Sequence, residues 1–157
     1  MTARHWHGYL WTGTGAELKN EALRTPGLPN SAETQAFLRN SMPPVRTGHY
    51  LLRRDATSRD LTWTDVDRVI EWMSANYERR PPMSGDVGFP TVNGHTPMAG
   101  DVGLEARRRI SRDGLINGVD GGWGYYTSPS GGFFTIAAIC CPHTHMPEIP
   151  CPLAPRT

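Results

Sequence analysis

The run Phe133-Phe134-Thr135-Ile136-Ala137-Ala138-Ile139-Cys140-Cys141 constrains the fold of this chain more than any other segment. Successive side chains of an extended strand point to opposite sides, and this run is apolar on both. Such a strand is stable only where both faces are covered, so it belongs in the middle of a sheet with a layer on each side. It is about half as long as a membrane-spanning helix needs to be.

The flanking residues say how the sheet is made. Trp123-Gly124-Tyr125-Tyr126-Thr127 reads as a strand, and Ser128-Pro129-Ser130-Gly131-Gly132 as the turn joining it to the apolar run, which gives an antiparallel hairpin. Residues 4–12 read as another strand, with His5, His7, Tyr9 and Trp11 on one face. A further strand is expected at 48–54. Helices are expected at 16–24, at 30–42 with Glu33 as a capping-box partner, at 65–79 after Thr64 as N-cap, and at 103–113. The third carries Val66, Val69, Ile70, Met73 and Tyr77 at the spacing of one buried face.

Elements in this order do not alternate regularly. They predict a single α+β domain over residues 1–146, with a small antiparallel sheet of about four strands and about four helices. Residues 147–157 are expected to form a Pro-rich extended tail. A chain of 157 residues buries roughly 70% of its unfolded surface in one core.

The three cysteines and two of the six histidines fall within residues 140–151. No basic start followed by an apolar core opens the chain, so a cytoplasmic location is expected, where clustered thiols bind metal more often than they pair. Cys141, His143 and His145 occupy alternate positions, and Cys151 returns after Met146-Pro147 to complete a set of four. Thiolate and imidazole donors suit zinc, and zinc in a structural role is the expected cofactor. The spacing matches no zinc finger or ribbon. A disulfide from Cys151 to Cys140 or Cys141, or plain buried thiols, are the competing readings. His5 and His7 form a second pair, and four histidines converge if the two terminal strands are neighbours.

A formal net charge of +1 argues against a polycationic nucleic-acid binder and against a membrane-surface binder. Lys19 is the one lysine, so the other basic residues are arginines, as a GC-rich actinobacterial or phage genome would produce. Arg107, Arg108, Arg109 and Arg112 cluster on one predicted helix and are the candidate partner-binding residues. A protein partner or a homo-oligomer is expected, with nucleic acid second. Pro82–Phe89 returns fifteen residues later as Pro97–Leu104 with six identities, which reads as two similar turns. Asp86 and Asp101 sit at equivalent places in them, where a carboxylate pair or plain backbone capping are the two readings. Asp120-Gly121-Gly122-Trp123-Gly124 resembles an element of terpene cyclases and prenyltransferases, but it spans five residues of much longer helical proteins and reads here as a Gly-rich turn before a strand.

Two functions fit these features. The first is a non-enzymatic binding or assembly subunit with an Arg-rich interaction surface and a metal-stabilised C-terminus. The alternative is a small metal-dependent enzyme using His and Cys ligands from both termini.

Overall fold

Residues 4–83 and 100–155 are described in the computed structural model, with side chains throughout except at 100–102. The four strands are β1 (His5–Thr14), β2 (Thr62–Trp63), β3 (Gly121–Tyr126) and β4 (Gly132–Cys141), and the three α-helices are α1 (Ala32–Arg39), α2 (Val66–Arg79) and α3 (Gly100–Ile116). The strands form one antiparallel sheet in the order β2-β1-β4-β3. This is the α+β architecture that the sequence predicts. The doubly apolar run lies inside the sheet as β4, buried at every residue from Phe134 to Cys141.

Two layers cover it. On one face Trp6, Cys140, Ala138, Ile136, Phe134, Trp123 and Tyr125 pack against Val69, Ile70, Met73 and Tyr77 of α2 and Leu115 of α3. On the other, Tyr9, Ala137, Ile139 and Cys141 pack against Tyr50 and Leu51, with Ile149 and Cys151 of the C-terminal segment alongside. β1 and β4 pair over ten residues, from His5 opposite Cys141 to Thr14 opposite Gly132. The first and last strands of the chain are therefore neighbours.

Several elements differ from the sequence expectation, each for a physical reason. The segment expected as a strand at 48–54 forms a 3-10 turn over Thr47–Leu52. Tyr50 and Leu51 are adjacent and both buried in the same cluster, which an extended strand, alternating its side chains, cannot arrange. The helix expected at 16–24 is two single 3-10 turns, Glu17–Lys19 and Glu21–Leu23, and neither has a buried residue. Without an apolar face to bury, so short a stretch has nothing to offset the cost of helix nucleation.

The other differences are at helix ends. α1 begins after Ser31, whose hydroxyl accepts the Thr34 amide. It stops at Arg39, where the Asn40 side chain donates to the carbonyls of Ala36 and Leu23. α2 is capped by Asp65 rather than Thr64, its carboxylate accepting the Asp67 amide. α3 is already helical at Gly100, so the end of the second repeated turn belongs to a helix. In the first repeat the Met83 amide donates to the Tyr126 carbonyl at 2.9 Å. Apart from Pro82 and Met83, the rest of both repeats, with Asp86 and Met98, lies outside the described residues, as does the side chain of Asp101.

The buried guanidinium of Arg53 ties the layer over the second face to α1. It donates to the carbonyls of Phe37 and Met42 at 2.9 and 2.5 Å and lies over the Phe37 ring. Beyond β4 the chain folds back over this layer. Met146 is buried beside Gly48, Pro152 is buried, and Arg54 donates to the Ala154 carbonyl. Among the described residues no helix is long and apolar enough to cross a membrane.

Candidate metal centre

Strand alternation sets two ligands. His5 and His7 lie two apart on β1, so both point to the face covered by the C-terminal segment, with their rings 4.8 Å apart and perpendicular. Sheet register sets the third, because Cys141 is paired directly with His5 and directly paired residues share a face. The returning C-terminal segment supplies the fourth. Cys151 Sγ lies 3.6 Å from His5 Nε2 and 3.6 Å from His7 Nε2. All four donor atoms fall within 4.8 Å of one another.

These distances can be compared with a metal's own geometry. Zn–N bonds of about 2.0 Å and Zn–S bonds of about 2.3 Å at a tetrahedral angle put N and S about 3.5 Å apart. The thiol already stands at that distance from both imidazoles. The four residues can hold a metal ion.

The surroundings prepare the donors. The Thr62 hydroxyl donates its one proton to the Ser58 carbonyl at 2.8 Å, so at its 2.8 Å contact with His7 Nδ1 it must accept. His7 therefore carries its proton on Nδ1 and presents the Nε2 lone pair to the centre, the outer-shell arrangement that orients metal-binding histidines. Burial, and then the neighbouring His5, lower the His7 pKa to about 4, so the ring is neutral at pH 7. Burial pushes the Cys141 thiol up to about 12, with the nearby Cys151 adding to it. A divalent cation reverses that preference, since it stabilises the thiolate directly. His7 and Cys141 are buried, while His5 and Cys151 are half-buried.

Of the four ligands read from the sequence, the structure brings Cys141 and Cys151 into this group and places His143 and His145 elsewhere. β4 ends at Cys141 and Pro142 follows, so the alternation that would align 141, 143 and 145 stops at its first member. His143 is buried and its Nε2 lies 2.7 Å from Asp120 Oδ2. Its Nδ1 accepts the backbone amides of His145 and Met146 at 3.2 and 3.1 Å. His145 is exposed. Cys140 points to the opposite face of the sheet, into the layer of α2, and all three cysteines are free thiols.

The four arginines of α3 do separate things. Arg107 lies over the rings of Tyr77 and Tyr125, Arg108 donates to the Ser74 hydroxyl, and Arg112 pairs with Asp67 at 2.7 Å. Those contacts fasten α3 to α2 and to the sheet. Arg109 is exposed and has no hydrogen bond among the described residues.

Asp120 is a half-buried residue with a structural load that sequence reasoning passed over. Its Oδ2 accepts from Thr47 and His143 and its Oδ1 accepts the Cys140 amide. An Asp before two glycines reads locally as a turn residue, and nothing in the neighbouring sequence points to partners so far away. Compared with protein-family models, with curated proteins and with solved structures, the chain has no match.

Proposed function

We propose that this chain is a non-enzymatic, zinc-stabilised domain in which His5, His7, Cys141 and Cys151 hold one zinc ion that clamps the C-terminal segment to the sheet. The observation that carries this reading is the convergence of two imidazole nitrogens and two thiols from three separate segments. Two sulfurs with two nitrogens suit zinc rather than calcium or magnesium, which take oxygen ligands. The role is structural because four protein ligands leave no position for water or substrate. The ligand spacing differs from that of zinc fingers because the set is assembled by strand pairing rather than by a local knuckle.

The rest of the chain supports a binding or assembly role. Ile110, Ile116 and Val119 are exposed on or just beyond α3, as is Arg109. Exposed apolar side chains with an arginine on the same helix suit a protein partner or a second copy of the chain better than nucleic acid.

Metal analysis with thermal melting tests the reading. The purified chain is expected to carry one zinc, and a strong chelator should lower its melting temperature by well over about 10 °C, as a structural site stabilises folds strongly. Cys151→Ser should lose most of the zinc and most of the chelator effect, whereas His145→Ala should lose neither. A metal-free chain whose melting is indifferent to chelator contradicts the reading. A loaded protein in which water replaces Cys151 as fourth ligand supports the enzyme alternative instead.

A further inference from the structure

A second feature on the tail-facing side of the sheet is independent of the metal. Beside β3 and β4 lies a cavity of about 170 Å³. Part of its floor is bare backbone, because Gly122 and Gly124 pair with Ala137 and Thr135 and so turn their missing side chains to this face, and Thr135 and Ala137 complete it. A Cβ built on Gly122 would meet nothing within 4 Å. Pro43, Pro44 and Tyr50 form the wall, and Thr47 and Asp120 the polar rim. The exposed Thr47, Gly122 and Gly124 leave it open to solvent.

The Asp120 carboxylate decides what such a cavity would hold. Its side chain is only 10% exposed. It accepts hydrogen bonds from the Thr47 hydroxyl at 2.5 Å, His143 Nε2 at 2.7 Å and the Cys140 amide at 2.8 Å. The Thr47 hydroxyl and the Cys140 amide carry no formal charge. His143 accepts two amides at Nδ1, so it is Nε2 that donates to the carboxylate. Among the described residues no arginine or lysine nitrogen comes within 4.0 Å of this carboxylate. A carboxylate held largely away from water with no arginine or lysine beside it is a costly charge, and a cation placed against it recovers part of that cost. It also keeps acceptor capacity, since a carboxylate offers about four lone-pair sites and three are taken.

We propose that this cavity binds a small organic cation, a primary ammonium on a short apolar or aromatic body. The ammonium donates to Asp120 at the rim, and the body lies on the Gly122–Gly124 backbone against Tyr50 and Pro44. Charge selects the ligand and the glycine floor sets its thickness.

The test is an NMR titration of the zinc-loaded full chain with benzylamine and with its neutral counterpart, benzyl alcohol. Benzylamine should give saturable shifts at the amides of Gly122, Gly124 and Tyr50, and benzyl alcohol should bind at least about 10-fold more weakly, the loss expected for a charge-assisted hydrogen bond. Gly122→Leu has room for its side chain and fills the cavity, so it should weaken benzylamine at least about 10-fold without lowering the melting temperature. Asp120→Asn should weaken it similarly, but it also disturbs three internal hydrogen bonds. The Gly122 variant and the alcohol control therefore keep the test independent of that variant's folding. Equal affinity for amine and alcohol, absence of saturation, or undiminished binding by Gly122→Leu would overturn the proposal.

Discussion

Thr62 shows how much of the proposed centre depends on one hydroxyl outside it. By donating to Ser58 and accepting from His7 it sets which imidazole nitrogen is free. Thr62→Val keeps the shape and removes the acceptor, so zinc affinity should fall by about 10- to 100-fold, as measured by competition with a chromogenic chelator. An unchanged affinity would separate the tautomer of His7 from metal binding. His7 also gives the metal-free chain a pH dependence. Its pKa is lowered from 6.5 to about 4 on folding, so between those values the unfolded chain binds the extra proton. Stability is then full above pH 6.5 and falls as pH drops towards 4. The urea midpoint of the metal-free chain should be lower at pH 5 than at pH 7.5, and the difference should shrink in His7→Gln. The alternation in His5-Trp6-His7 was legible as a pair sharing a face. Its partner was not, because Cys151 is 146 residues away and local pattern carries no distance information at that range.

Elements with strong local signals were the legible ones. β4 and the turn follow the residues read for them, while β3 starts two residues early, at Gly121 inside the stretch read as a turn. Gly131 at the hairpin turn takes the left-handed conformation with φ 99° that glycine accommodates. α2 follows its apolar spacing, burying Val69, Ile70, Met73 and Tyr77 as expected. Where tertiary packing overrides local preference the reading failed, as at Thr47–Leu52, where two adjacent apolar residues must both face the sheet. Contact between β1 and α2 is close enough to be tested. A Cβ on Gly8 would come 2.7 Å from the Trp72 ring and 3.0 Å from that of Trp63. Gly8→Ala should therefore destabilise the chain by about 1–3 kcal/mol in urea unfolding, the range for overpacking a filled site. A neutral or stabilising result would mean that the two tryptophans can shift without cost.

At the scale of the whole molecule, strand order is what makes the centre possible. The order β2-β1-β4-β3 places the first strand beside the last, so residues from both ends of the chain line one face of the sheet. Strand order depends on contacts distant in sequence, which explains why the class of fold was legible and the ligand set only half so. The Cys-rich end supplied two of the donors that can hold a metal, but bringing the two histidines to them depended on a pairing no local motif records. Closing a loop this long from the N-terminal strand to the tail is where a metal tie gains most against the unfolded chain. The measurement that tests this most directly is X-ray absorption of the zinc-loaded chain at the metal edge. The account predicts two sulfur ligands at about 2.3 Å and two imidazole nitrogens at about 2.0 Å, with one sulfur lost in Cys151→Ser and one nitrogen lost in His5→Ala. A shell of oxygen ligands, or a sulfur and nitrogen count unmoved by those substitutions, would contradict it.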